Sequence, residues 1–124
     1  MSGVWVHDNL YDLAVLQVAV DSVRFYSEKG GAAGMISAGG LGCTGPATAL
    51  ADSGVGVLGA GQIDAFRQIA DLCTSMDPMF TAGDIAGLRE SRPMLEAAIV
   101  KIQRLLTAFE TAMITGDSNE AGGD

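Results

Sequence analysis

A series of apolar residues near the carboxyl end of the chain repeats in alternating steps of four and three positions. Its members are Leu95, Ile99, Ile102, Leu106, Phe109 and Met113. Side chains at this heptad spacing share one face of a helix. Pro93 suits the first turn of a helix, and Gly116 suits the position after its last turn. The sequence therefore predicts a helix over residues 92–115.

This heptad face has two interpretations that the sequence leaves open. Ala98, Leu105 and Ala112 widen the apolar stripe beyond a strict two-position seam. Such a width suits packing inside a bundle as well as a two-stranded coil. The face is either part of the chain's own core or a contact with a second helix from another molecule, and we take its six residues as a candidate interface.

A second long apolar pattern lies between residues 8 and 28. One line of it consists of Leu10, Leu13, Leu16, Val20 and Val23, and a second line consists of Tyr11, Val15, Val18 and Phe25. Asp8 is a suitable helix cap, and Asp12 is a favourable charge in the first turn. A helix that is apolar over most of its circumference is buried on more than one side. We therefore expect a central helix here.

Residues 1–7 precede this helix as a short arm that contains Trp5 between two valines. An apolar residue just before a helix often packs back onto it as a hydrophobic staple. The alternative is that the arm docks onto a neighbouring molecule, and Trp5 is therefore included in the candidate interface.

Residues 30–61 form a glycine-rich, apolar connection. They hold eleven of the 17 glycines and a single charge, Asp52. Because glycine disfavours long helices, we expect at most a short helix from Pro46 to Ala51 and a short strand from Val55 to Leu58. Glycine permits close backbone approach, so this segment can pack on its own helices, contact another chain, move as a loop or hold a ligand.

A shorter amphipathic helix is predicted over residues 62–76, with Asp77-Pro78 ending it because the residue before proline avoids the helical region. The piece from Thr81 to Ser91 is expected to be a short helix or turn. The predicted fold is thus all-α: a small bundle of two long helices and one shorter amphipathic helix. It forms a single domain over 1–116, followed by a flexible acidic tail over 117–124.

The charge balance narrows the classes of partner. Fifteen acidic and seven basic residues give a net charge of −8, which argues against a nucleic-acid binder because phosphate attraction needs clustered Lys and Arg. No apolar run reaches the roughly 20 residues of a membrane-spanning helix. We expect neither nucleic acid nor a membrane span, and a protein partner or a homo-oligomer instead.

The two cysteines, Cys43 and Cys73, bear on the compartment. No basic and apolar leader opens the chain, so the thiols are expected to be reduced. The expected location is the cytoplasm, or the interior of a particle assembled there.

The glycine-rich segment contains two G-x-G-x-x-G matches, which begin at Gly40 and Gly54. The overlapping Gly59-Ala-Gly61 resembles the phosphate-binding turn of a dinucleotide unit. Asp64, however, occupies the third glycine position, and no second strand follows. We therefore expect no cofactor, and a nucleotide-binding module is the least favoured alternative.

Catalytic and metal-ligating patterns are not evident. His7 is the only histidine, so any Ser–His or Cys–His pair depends on it. His7, Asp8 and Asp12 do not have a zinc or EF-hand spacing. We expect no catalytic, cofactor or metal site. The sequence favours a non-enzymatic interaction or assembly subunit that self-associates through the heptad helix and the glycine-rich segment, with a small acidic inhibitor of a basic partner as the alternative.

Overall fold

The computed structural model describes residues 2–29 and 42–115, and these form five helices and no strand. The helices are α1 (Ser2–Asp8), α2 (Leu10–Lys29), α3 (Thr44–Ser53), α4 (Ala60–Ala82) and α5 (Ile85–Thr115). The all-α prediction is confirmed. The acidic tail, the first part of the glycine-rich connection and the start of the G-x-G-x-x-G match at Gly40 lie outside the described residues.

The amino-terminal arm is itself helical, and Asn9 joins it to α2. The Asn9 N–H donates to the carbonyls of Trp5 and Val6 at 3.1 Å, and the Asn9 side-chain amide donates to the Trp5 carbonyl at 2.8 Å. Asp8 therefore ends α1 and does not begin α2. The prediction that Asp8 caps the first long helix is wrong, because Asp8 belongs to α1 and Asn9 occupies the position before α2.

The glycine-rich connection continues into α3, which confirms the expected short helix. Residues Val55–Leu58, expected as a strand, instead belong to a turn in which the Val57 and Leu58 N–H groups donate to the Gly54 carbonyl at 2.9 and 2.8 Å. A Cβ on Gly54 would lie 2.6 Å from Leu58 Cδ1, so a larger residue there would require the Leu58 side chain to shift.

Two prolines lie inside helices, contrary to prediction. Helix α4 passes Pro78 and ends at Gly83, whose φ of 70° is left-handed. Helix α5 begins after Asp84, whose carboxylate accepts the Gly87 N–H at 2.9 Å, and it passes Pro93. A proline costs a helix one hydrogen bond. Phe80, two residues after Pro78, and Leu88, five residues before Pro93, are both 0% exposed. Their burial offsets the lost hydrogen bonds.

The four longer helices contact one another in a closed order, with α2 against α3 and α5, and α4 against α3 and α5. Helices α2 and α5 run antiparallel, because Arg24 pairs with Glu96 and Glu28 pairs with Arg92. Helix α1 packs on α2 and α5. The side chains between the helices form one core, whose largest fully buried members include Phe66, Phe80, Leu13, Leu16, Leu50 and Ile69.

A disulfide joins Cys43, just before α3, to Cys73 in the middle of α4, with 6.1 Å between the two Cα atoms. Both residues are buried. Beside them, the hydroxyl oxygens of Thr44 and Thr74 lie 3.1 Å apart and share a hydrogen bond. The prediction of reduced thiols is therefore wrong. Antiparallel packing of α3 on α4 brings together two residues that are 30 positions apart, and their spacing alone gave no sign of it.

Candidate interaction surfaces

Five of the six heptad residues lie in the chain's own core. Leu95, Ile99, Ile102, Leu106 and Phe109 are between 0% and 6% exposed. Met113, at the end of the series, is 59% exposed. The structure therefore uses the heptad face for packing within the chain, which is the first of its two interpretations, and leaves only Met113 accessible to another molecule.

Trp5 also packs inside the chain. It is 5% exposed, its indole N–H donates to Ser53 Oγ at 3.1 Å, and its ring lies 6.0 Å from that of Phe66. The Ser53 hydroxyl in turn donates to Asn9 Oδ1 at 3.3 Å. These contacts hold the amino-terminal arm on the core, since the indole joins α1 to Ser53 of α3 and to Phe66 of α4.

An open groove of about 520 Å³ lies over this Trp5 contact. It is lined by Val4, Trp5, Asp8, Asn9, Ser53 and Val57. Two of these, Val4 and Val57, are apolar and 52% and 46% exposed. The hydroxyl and amide groups in its wall are already bonded to one another, so the groove offers an apolar contact rather than a set of reactive groups.

The outward face of α2 carries three large exposed apolar residues at seven-residue steps, whereas the four on α5, which are Met94, Val100, Met113 and Ile114, are not regularly spaced. Tyr11, Val18 and Phe25 are 78%, 65% and 51% exposed, and each follows the previous one by seven positions. In contrast, no large apolar side chain of α3 or α4 is exposed. The expectation that α2 is buried on more than one side is not met, because the described residues cover only its inward face.

A depression of about 330 Å³ opens on this face of α2. It is lined by Val18, Asp21, Ser22, Phe25 and Tyr26. The Phe25 ring meets the Tyr26 ring edge-on with 4.9 Å between centroids, and the Tyr26 ring packs on buried Phe80 at 6.1 Å. Phe25 is thus exposed on one side and contacts the core through Tyr26 on the other.

A bidentate ion pair joins α2 to α5 beside this face. Arg24 Nε and Nη2 donate to the two carboxylate oxygens of Glu96, each at 2.7 Å. These hydrogen bonds lower the pKa of Glu96 and raise the pKa of Arg24. Burial of the pair opposes both shifts. Charge-assisted bidentate pairs are among the stronger polar contacts, and this one fixes α5 against α2.

The ion pair predicts a pH-dependent part of the stability. Because the pKa of Glu96 is lower in the folded chain, its contribution is complete above the ordinary carboxyl pKa and is lost as the pH falls through the folded value. Replacing Glu96→Gln should lower the free energy of unfolding by about 1 kcal/mol at neutral pH, since the pair is part-exposed. At an acid pH below the folded pKa of Glu96, the two proteins should be equally stable.

Urea unfolding at both pH values measures this difference. Glu90→Gln, an exposed carboxylate on the same helix, is the matched control and should differ little from the parent at either pH. A Glu96→Gln loss of equal size at both pH values would contradict the ion-pair origin.

The basic residues near the end of α2 are engaged within the chain. Arg92 Nη1 donates to the hydroxyl of buried Ser27 at 3.1 Å, and Arg89 Nε donates to the Ser27 carbonyl. Cations at this position also complement the negative end of the α2 dipole. With Arg24 paired to Glu96, these arginines hold α5 on α2 and do not form an open anion site.

The chemistry-bearing residues do not converge. Among residues 2–29 and 42–115, no three His, Cys, Asp or Glu side chains are grouped to hold a metal ion. His7 is exposed in the last turn of α1. Gly59 and Gly61 lie at the start of α4, but a turn precedes them where a dinucleotide unit has a strand.

The surface that the sequence did not single out is the outward face of α2. Its seven-residue spacing was visible, but only the structure shows which side of α2 is covered. None of the described helices is long and apolar enough to cross a membrane. Comparisons with protein-family models, with curated proteins and with solved structures found no match.

Proposed function

We propose that this chain is a non-enzymatic interaction or assembly subunit that self-associates through the outward face of α2. The observation that carries the proposal is the exposed line of Tyr11, Val18 and Phe25. Scattered apolar residues are ordinary on a protein surface, whereas three large ones aligned on one helix face form a candidate contact surface. This surface takes over the role that the sequence assigned to the heptad face, five of whose six residues are buried.

The distribution of polar residues supports the same surface. The outward sides of α3 and α4 carry no large exposed apolar side chain, so these helices are suited to water. On α2, two charged residues near Val18 and Phe25 have partners within the chain: Asp21 accepts from Gln17 Nε2 at 3.1 Å, and Arg24 binds Glu96. A partner that covers Val18 and Phe25 therefore leaves neither of these two charges unpaired.

The acidic-inhibitor alternative differs from self-association in its response to salt. Two copies that each carry −8 repel one another, so salt should strengthen an apolar contact between them. Binding of a basic partner should instead weaken as salt rises. The sign of the salt effect separates the two functions.

The disulfide changes the proposed compartment. The cytoplasmic expectation came together with reduced thiols, whereas intrachain disulfides form and persist in oxidising surroundings. We therefore place the folded protein in an oxidising compartment or in a particle exposed to one. Alkylation in denaturant, without reductant, of the protein isolated from its native source would test this: a mass increase by two alkyl groups would contradict it.

Val18→Asp should abolish self-association without unfolding the chain. Val18 is 65% exposed, so the change costs the fold little, but it places a charge at the centre of the apolar line. The parent should rise above the 12.7 kDa monomer mass in light scattering as its concentration increases from about 1 µM to about 1 mM, a range suited to weak interfaces. Val18→Asp should stay at the monomer mass throughout.

Val100→Asp is the matched control. Val100 is equally apolar and 74% exposed, but it lies on α5. This variant should associate like the parent. A parent that stays monomeric at every concentration would overturn the proposal, and so would a Val18→Asp variant that associates like the parent.

A further inference from the structure

We infer that the partner of the α2 face is a second copy of this chain, packed antiparallel so that Tyr11 of each copy enters the depression beside Phe25 of the other. The inference depends on the proposed function and names its partner and geometry. It uses only described residues of α2, which lie on the face that α3, α4 and α5 do not cover.

The residues that line the depression have the spacing of a coiled-coil socket. Four of its lining residues, Val18, Asp21, Ser22 and Phe25, stand at positions i, i+3, i+4 and i+7 of one helix. In knobs-into-holes packing, four residues with this spacing receive one side chain from the facing helix. The volume of about 330 Å³ has room for a large side chain.

The same face supplies the side chain that fits. Tyr11 lies one heptad before Val18 and is 78% exposed, so it projects from the helix as an unburied aromatic residue. A second socket of the same spacing is formed by residues 11, 14, 15 and 18. Each copy therefore presents both a projecting tyrosine and a socket on one surface.

One antiparallel register satisfies both sockets in both copies. Moving from Tyr11 to Val18 advances seven positions on one helix and moves the facing point back seven positions on the other. When Tyr11 faces the 18–25 socket, Val18 therefore faces the 11–18 socket. Each copy then makes the same contacts with the other, so the pair is a two-fold symmetric dimer. In a parallel pairing, placing one Tyr11 in the 18–25 socket puts the other Tyr11 opposite a point before the start of the facing α2, because α2 begins at Leu10. That second tyrosine would have no socket.

Charge permits this contact. Asp21 is the one charged residue that lines the depression. Its carboxylate accepts a hydrogen bond from Gln17 and lies 3.9 Å from the Arg24 guanidinium. Covering the depression therefore encloses a carboxylate that already has partners.

The area of the contact points to a reversible dimer. A whole aromatic side chain buries about 200 Å², so at their observed exposures Tyr11, Val18 and Phe25 together offer about 350 Å² per copy. Two copies would bury about 700 Å² from these residues, and somewhat more with the flanking ones. This lies below the about 1,600 Å² of a standard stable interface, so we expect association that depends on concentration.

Two complementary variants test the arrangement. Tyr11→Lys alone places a cation in each socket, and Ser22→Glu alone places a second carboxylate in the socket beside Asp21. Each variant alone should associate at least about tenfold more weakly than the parent. An equimolar mixture should recover association, because the antiparallel pair sets Lys at position 11 against Glu at position 22 and leaves one socket of parental composition.

The outcomes separate the geometry from the function. Sedimentation equilibrium of each variant and of the mixture is the measurement, with helical circular dichroism to confirm that all three remain folded. Recovery in the mixture supports the antiparallel dimer. A mixture no stronger than its components, with a parent that does associate, overturns this geometry and leaves the proposed function standing. A monomeric parent overturns both.

Discussion

Replacing both cysteines, Cys43→Ala with Cys73→Ala, should lower the free energy of unfolding by about 3 to 4 kcal/mol. The disulfide closes a loop with a sequence separation of 30, and a cross-link of this span restricts the unfolded chain by about that amount in the chain-entropy account. The loop also contains residues 44–61 of the glycine-rich connection, with five of its eleven glycines, and glycine has the greatest conformational freedom when unfolded. A loss of this size is a large part of the 5 to 15 kcal/mol or so of stability that is usual for a domain.

Urea unfolding of the parent and the double variant, followed by helical circular dichroism, measures the difference. The parent in strong reductant should move toward the double variant, which supplies a control with no change of sequence. The double variant in reductant should be unaffected. Equal unfolding midpoints for the oxidised parent and the double variant would contradict a stabilising disulfide.

The helices were largely predictable, because their period is local. The heptad series and the two apolar lines of the first long helix each extend over several turns, and repeated spacing identifies a helix without knowledge of its neighbours. The short helix α3 was indicated by Pro46 in a first turn. These predictions needed no information from distant parts of the chain.

The helix ends were less predictable, because tertiary burial decided them. Pro78 and Pro93 are strong local signals for a boundary, yet α4 and α5 continue past them. Phe80 and Leu88, fully buried on the far sides of the prolines, keep the backbone helical. A rule based on local sequence accounts for the hydrogen bond that proline removes, but not for the apolar area that is buried when the helix continues.

The candidate site could not be located from sequence for a related reason. Residues Leu13, Leu16 and Val20 are buried, whereas Tyr11 and Val18 are exposed, although all five are apolar and lie on one helix. Period alone shows two apolar lines and cannot tell which line the remaining helices cover. That choice depends on how many helices pack around α2, and the Cys43–Cys73 pairing likewise depends on which helices become neighbours.

Replacing Ile102→Asp should unfold the chain, and it tests the role of the heptad face. Ile102 is 0% exposed and belongs to the core cluster. A carboxylate at this position would be buried without a partner, and we expect a loss of more than about 4 kcal/mol, which few domains of this size tolerate. Circular dichroism in the aromatic region and thermal unfolding should show the loss of fixed packing.

Val100→Asp is the control for Ile102→Asp, because Val100 is two positions away on the same helix and 74% exposed. It should unfold near the temperature of the parent. If Ile102→Asp instead remained folded and lost only its self-association, the heptad face would be an interface between molecules. Unfolding by Ile102→Asp, together with monomers from Val18→Asp, would assign the two apolar surfaces separately: the heptad face of α5 holds the chain together, and the outward face of α2 joins one chain to the next.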